Sequence, residues 1–411
     1  MTWATPAPDG ARRVLVVDDS RMQRRILSAQ LSRSGYEVVE AATAEEAIEI
    51  CGKSEPDLVI SDWMMPGMSG VDFCRWFRGM DRSGYGYFIL LTSKTEKNEV
   101  AQGLESGADD FMSKPVSGDE LRARLAAGER ILRMERELKE KNRLLRAQQE
   151  AINRDLIEAQ KLQQSLIRER HRSFGSAEVS LLLRPSGHVG GDLVGFFPIN
   201  ARRVALFGID VSGHGITSAL MTARLAGYLS GASPEQNIAL IQTEYGIYDA
   251  RPPAELAAHL NALVLEEMET ESYFTLVYAD VDLVSGRVLL VQAGHPHPAV
   301  RRAGGDVEYI GVGGLPVGLI EGAAYETSET VLKPGDRLLL MSDGMTEATD
   351  PQGTLLGEDG LRDLMLRHAD LPGPAFLKSL MWDLAAYADD NLTDDVSAVV
   401  FDFFGAKANA D

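Results

Sequence analysis

Two sets of aspartates, each accompanied by residues suited to phosphate, carry the chemistry legible in this sequence. In the front third, Asp18-Asp19, Asp62, Thr92-Ser93 and Lys114-Pro115 each follow a short apolar run. Three carboxylates brought together repel one another unless a hard cation such as Mg²⁺ neutralises them. A lysine and a hydroxyl beside them suit the oxygens of a transferred phosphoryl group. Singly, each is an ordinary surface group or helix cap. Their succession at consecutive apolar runs sets them apart.

The second set occupies four turns: Gly190-Gly191-Asp192, Asp210-Val211-Ser212-Gly213-His214-Gly215, Ser342-Asp343-Gly344 and Thr393-Asp394-Asp395. Asp210 and Asp343 each end an apolar run and lead into glycine, which lets backbone and ligand approach closely. An isolated Asp-Gly is a common turn, so the weight lies on aspartates at the ends of adjacent strands. Such a carboxylate-only site fits Mg²⁺ or Mn²⁺. Two such ions can generate a hydroxide and clamp a phosphate oxygen for in-line hydrolysis. No Ser-His-Asp elbow or Cys-His pair competes. His214, His295 and His297 are expected not to be ligands, since His297 lies between Pro296 and Pro298 and His214 inside a glycine turn. Gly190-Gly191-Asp192 superficially resembles the diguanylate cyclase signature. That signature needs a second acid and then an aromatic, where Leu193 and Val194 stand here.

Elements of two kinds must position these groups. Val14–Val17, Leu58–Ile60 and Phe88–Leu91 read as buried strands and Met22–Leu31 as a helix. Their alternation predicts an α/β doubly wound parallel sheet with its site at the carboxyl ends of the strands. Residues 119–172 contain almost no Gly or Pro, and Ile131, Leu138, Leu145, Ile152, Ala159 and Leu166 recur every seven. The companion seam is Met134, Lys141, Gln148, Asp155 and Leu162, too polar for a strong two-stranded coiled coil. A marginal parallel dimeric connector is expected, of the kind that changes state. Beyond Ser173, strands at Val204–Ile209, Phe274–Asp280, Arg287–Val291, Arg337–Met341 and Val396–Phe401 surround helices at Ile216–Gly231 and Ala254–Met268. This pattern predicts an α+β layered sandwich.

The front segment resembles the response-regulator receiver family. The matching residues are Val17-Asp18-Asp19-Ser20, Asp62 to Gly70, Leu91-Thr92-Ser93 and Asp109 to Pro115. The resemblance implies that Asp62 is the phosphoacceptor and that Asp18 and Asp19, with the Met64 carbonyl, hold Mg²⁺. It implies that Thr92 and Lys114 engage the phosphoryl group and that Phe111 is the switch aromatic. The rear segment resembles the metal-dependent protein phosphatases of the stage II sporulation protein E branch. There the matches are Glu158 to Leu166, Ala293-Gly294-His295-Pro296, Gly314 to Leu319, Asp343 to Ala348 and Asp394-Asp395-Val396-Ser397. By that resemblance Asp210 bridges two Mn²⁺ or Mg²⁺ ions, the Val211 carbonyl contacts one, Asp343 and Asp394 complete the second, and Asp192 supports the first. A bridging water would then attack phosphoserine or phosphothreonine. One departure stands out: Gly195 occupies a position where the family often has an acid, which raises the alternative of a weak or inactive binding adaptor.

Composition bounds the rest. The chain has 411 residues and a formal charge of −20, split as −5 over residues 1–118, +4 over 119–172 and −19 over 173–411. So acidic a chain is not expected to bind nucleic acid, and no run approaches a membrane span. Two cysteines cannot form a disulfide framework, which suggests a reducing, cytoplasmic setting. The expected organisation is a receiver domain at 12–125, a helical coiled-coil linker at 126–172 and a phosphatase domain at 173–404. The expected partners are a sensor histidine kinase, a phosphorylated anti-sigma-factor antagonist and a second copy of the chain paired through the linker.

Overall fold

The structure, a computed structural model, describes residues 12–93, 105–167, 169–213, 215–244, 246–267 and 272–405. The chain divides into two compact units, residues 1–151 and 152–411.

In the first unit, β1 (Arg13–Val17), β2 (Glu37–Ala41), β3 (Leu58–Asp62), β4 (Tyr87–Thr92) and β5 (Asp110–Ser113) form a parallel sheet in the order β2-β1-β3-β4-β5. Valine-, isoleucine- and leucine-rich runs suit strands buried on both faces. One face packs Leu15, Val17, Phe73, Phe77 and Phe88, and the other Val14, Val16, Leu31, Ile60 and Met112. Helices α1 (Arg21–Arg33), α2 (Ala44–Lys53) and α3 (Gly70–Gly79) each start at a hydroxyl, Ser20, Thr43 or Ser69, that accepts a backbone N–H three residues on. The strand order reverses between β1 and β3, opening a crevice at their carboxyl ends.

Helix α4 (Gly118–Leu166) runs for 49 residues. Leu121, Leu125 and Leu132 bury its first turns in the core of the first unit. The seven-residue seam then turns to solvent, with Leu138 60%, Leu145 61% and Ile152 59% exposed in the single chain. The helix ends at Leu166, short of the expected residue 172. His171–Ser173 is instead a strand, β6, which pairs antiparallel with β7 (Ala177–Arg184) and so satisfies its backbone in the second unit.

That unit stacks two sheets. One runs β15 (Val307–Tyr309), β14 (Ala299–Arg301), β17 (Arg337–Met341), β18 (Val396–Phe403), β7, β6. The other runs β16 (Thr327–Val331), β13 (Arg287–Ala293), β12 (Phe274–Asp282), β9 (Arg203–Val211), β8 (Asp192–Pro198). A small hairpin, β10 (Leu240–Gln242) with β11 (Tyr248–Ala250), lies apart from them in pairing. Strand alternation divides β9 cleanly: Val204 and Leu206 join the core between the sheets, while Ala205, Phe207 and Ile209 face the helices. Helices α5 (Ile216–Tyr228) and α6 (Pro253–Glu267) cover the five-stranded sheet through Met221, Leu225, Leu256 and Leu260. Helices α7 (Gly357–Arg367) and α8 (Gly373–Tyr387) cover the six-stranded sheet through Leu361, Met365, Phe376 and Leu380. The result is the layered α+β sandwich expected.

Candidate phosphoryl and active sites

In the first unit, β1 and β3 are direct neighbours, so Asp18, one residue past β1, faces Asp62 at the end of β3. Among the described residues, Asp18, Asp19 and Asp62 bring carboxylate oxygens within 4.8 Å of one another. Asp18 is fully buried, Asp62 nearly so, and Asp19 is exposed. Lys114 Nζ lies 2.7 Å from Asp62 and 2.9 Å from Asp18. Burial raises the Asp62 carboxyl above its ordinary value, opposed by Lys114. Burial works against the charge on Lys114, but its two carboxylate partners raise its pKa overall. Thr92 is buried at the end of β4, and its carbonyl accepts the Lys114 N–H at 2.8 Å, fixing the base of the lysine. Phe111 is half-buried against the α3-side core, and Met64 is exposed in the loop after β3. Gly70 is required by contact: a Cβ there would sit 2.0 Å from the Asp62 carbonyl. Of the residues expected here, the structure brings together Asp18, Asp19, Asp62, Lys114 and the end of β4 at Thr92. Among the described residues, no hydrogen bond or ion pair joins Phe111 or Met64 to them.

In the second unit, register brings the aspartates together. Asp192 opens β8 directly opposite Asp210 on β9. Asp343 follows β17 in a single 3-10 turn, and Asp394 and Asp395 precede β18, which pairs with β17. The two sheets thus deliver their aspartates to one end of the sandwich. Burial pushes the Asp210 carboxyl up to about 7, with repulsion from Asp343, Asp394 and Asp395 adding to it. Burial, then Asp210, holds Asp192 well above the carboxylate range. Asp343 is raised by burial and by Asp394. Asp192 Oδ2 is buried with no hydrogen-bond partner among the described residues. A bound divalent cation would relieve that buried oxygen, and an all-oxygen donor set fits Mg²⁺ or Mn²⁺. Among the described residues, however, these aspartates do not bring three carboxylates within 4.8 Å of one another as Asp18, Asp19 and Asp62 do.

Two residues hold the turn that presents Asp192. Asp395 is buried beside the exposed Asp394 and grips the Gly-Gly-Asp turn. Its Oδ2 accepts the Gly191 N–H at 2.6 Å, and its Oδ1 accepts the Ser186 N–H at 2.7 Å. Gly190 is glycine for that reason, since a Cβ would fall 2.1 Å from Asp395 Oδ2. Gln163 on α4 is buried and pairs reciprocally with Gly190, donating to its carbonyl at 2.6 Å and accepting its N–H at 3.1 Å. The adjacent Asp394-Asp395 pair was the available signal for the first, and Gln163 lies within the Glu158 to Leu166 match, on the entry helix where coupling to the domain is expected. Val211 is buried, and a Cβ on Gly191 would lie 2.7 Å from its carbonyl oxygen.

Gly195 loses the meaning its sequence position suggested. It lies three residues along β8 from Asp192, and therefore on the opposite face. A Cβ there would meet the Phe207 ring at 2.4 Å. An acid at 195 would point under the helices rather than toward Asp192. The space a side chain would need at 195 is taken by Phe207. His295 is buried, its Nδ1 2.7 Å from Thr275 Oγ1, and His297 Nδ1 meets the Ile310 carbonyl at 3.2 Å. His214 lies outside the described residues.

The response regulator receiver domain family model matches residues 14–126, and the stage II sporulation protein E family model matches residues 200–404. The phosphate regulon transcriptional regulatory protein PhoB of Pseudomonas aeruginosa is 40% identical over 114 residues, 28% of this chain and 50% of that protein. Transcriptional regulatory protein AfsQ1 of Streptomyces coelicolor is 40% identical over 114 residues, 28% of this chain and 49% of that protein. The chain thus spans about half the length of these curated relatives. Among solved structures, the SiaA-PP2C domain of Pseudomonas aeruginosa aligns with a TM-score of 0.51 at 22% identity, over 62% of this chain and 99% of that one. This likeness shows the PP2C fold.

Proposed function

From a chain that joins a response-regulator receiver domain to a stage II sporulation protein E-type phosphatase domain, we propose a protein serine/threonine phosphatase switched by phosphorylation of its own receiver. The observation that carries this reading is the convergence of Asp192, Asp210, Asp343 and Asp394 from two sheets at one end of the sandwich.

In this reading Asp192, Asp210 and the Val211 carbonyl would hold one divalent ion, and Asp343 and Asp394 with Asp210 would hold a second. When bound, such ions lower the pKa of a water and neutralise phosphate charge. The chain's own part is to fix that geometry. Asp395 and Gln163 hold the Gly190-Gly191 turn, and the pairing of β8 with β9 holds Asp192 against Asp210. The substrate is a phosphoserine or phosphothreonine protein, of which a phosphorylated anti-sigma-factor antagonist is the specific candidate.

In the receiver, Asp62 would accept a phosphoryl group from a sensor histidine kinase, and Asp18, Asp19, Asp62 and the Met64 carbonyl would hold the Mg²⁺ that offsets its charge. Lys114 and Thr92 engage the new phosphate oxygens, and Phe111 responds as the switch aromatic. Helix α4 carries the change, because its first turns are core to the receiver and its Gln163 grips the catalytic turn. The exposed seam of Ile131, Leu138, Leu145 and Ile152 supports pairing of two such helices.

The test is hydrolysis of a phosphoserine protein by the full chain with Mn²⁺, with and without acetyl phosphate. Asp343→Asn should abolish turnover. Asp62→Ala should keep basal turnover and lose the response to acetyl phosphate. Equal loss in both variants would sink the receiver-control reading, and no hydrolysis with either Mn²⁺ or Mg²⁺ would sink the enzyme.

A further inference from the structure

A second surface of the phosphatase domain has the marks of a recognition site. Between helix α8 and the edge strands β6 and β7 lies a groove of about 480 Å³. Leu181, Leu182, Leu377 and Met381 line it, and beside it Trp382 stands 76% exposed. A large indole left this open beside an apolar floor is uncommon on a surface with no partner, because its burial is among the larger sources of binding energy.

The rim adds a sign. Arg170, Arg184 and Lys378 border the groove against a single carboxylate, Asp390. All three cations are exposed, and none has an ion-pair partner among the described residues. Elsewhere in this unit Arg203, Arg287, Arg302, Arg337, Arg362 and Arg367 are paired with carboxylates. Residues 173–411 hold 33 acidic groups against 14 basic. An unpaired basic rim on so acidic a domain is the reverse of its background. Lys378 and Trp382 are also one helical turn apart, so charge and indole share a face of α8.

We infer that this groove docks an acidic polypeptide segment of a partner protein, an apolar side chain seated against Trp382 and Met381 and its carboxylates meeting Arg170, Arg184 and Lys378. Complementary charge steers encounter and selects against basic partners, while the buried apolar anchor supplies the affinity. Asp192, Asp210, Asp343 and Asp394 line no part of this groove, so the inference does not rest on the phosphatase reading.

The experiment is fluorescence anisotropy with the full chain and a labelled peptide in which Glu and Asp residues surround a Leu-Leu-Phe core. A peptide with the same core and Lys in place of the acids serves as control. The acidic peptide should bind, and the basic one should not. Trp382→Ala, and separately the pair Arg184→Glu with Lys378→Glu, should each weaken binding about tenfold or more. Trp382 is exposed, so its variant should melt like the parent by circular dichroism. Failure of the acidic peptide to bind the parent protein, or undiminished binding by both variants, would overturn the assignment. So would tighter binding of a single-stranded oligonucleotide than of the peptide, which would make the rim a nucleic-acid contact.

Discussion

Asp395 reaches across 204 residues of chain to accept the Gly191 N–H at 2.6 Å, tying the start of β18 to the turn that presents Asp192. That contact joins the two sheets of the sandwich at the point where their aspartates meet. It makes Asp395 a positioning residue, distinct from its exposed neighbour Asp394.

Replacing Asp395 with alanine should therefore cost both stability and metal binding. The Gly191 and Ser186 N–H groups lose their acceptor, at about 1–3 kcal/mol for each one left unsatisfied. A domain of this size loses about 2–4 °C of melting temperature per kcal/mol. Calorimetry should show that loss, and a Mn²⁺ titration should show weaker binding. A parent-like melt would refute the clamp.

Gly195→Asp restores the acid often seen at that position, yet it should not help. Its Cβ would meet Phe207 at 2.4 Å, and overpacking of this kind typically costs about 1–3 kcal/mol. Lower stability with no gain in Mn²⁺ affinity is the expected outcome. A tighter Mn²⁺ activation curve would show that the residue reaches the site after all.

Gln163→Leu should separate the two halves of the proposed switch. The Gly190 carbonyl and N–H would both lose their partner. Basal turnover should fall, and the response to acetyl phosphate should vanish with it. Turnover with and without acetyl phosphate checks this, and an intact response would place the coupling elsewhere.

The seam of α4 makes a prediction about assembly. Leu138→Glu with Leu145→Glu introduces charge at two exposed apolar positions. Sedimentation should shift toward the monomer, with little change in the melting of either unit. An unchanged dimer, or a monomeric parent, would remove the coiled-coil proposal.

His295 should leave a mark on the pH dependence of stability. Burial lowers its pKa to about 3, whereas an unfolded histidine titrates near 6.5. Below about 6.5 the unfolded chain gains a proton that the folded one refuses. The benefit of a neutral His295 is complete above that pH and is lost toward 3, by roughly 1.4 kcal/mol per unit. Between pH 6.5 and 4, denaturant melts of the parent should lose stability more steeply than those of His295→Gln. Parallel slopes would count against the buried neutral ring.

The receiver was legible almost residue by residue. Its strands are local apolar runs, and a doubly wound sheet places whatever follows each strand at one edge. Asp18, Asp62, Thr92 and Lys114 could thus be placed together from position alone. The linker was legible as a helix, but its end was not. His171–Ser173 became a strand because β7 offered an antiparallel partner, and pairing outweighs local propensity at an edge.

In the second unit, the sequence by itself determined which aspartates follow apolar runs and hence the chemistry open to them. Only the tertiary structure decided which carboxylate faces the site and which holds it. Asp394 and Asp395 are adjacent and identical in type, yet one is exposed and the other buried against a glycine turn. Gly195 reads as a missing supporting carboxylate along the chain, but its Cβ position is filled by Phe207 on the far side of β8. Gln163 falls within the entry-helix match, but only the fold shows that it holds Gly190. The reason is the same in each case. Residue type fixes what a group can do, whereas strand alternation and long-range register fix what it meets.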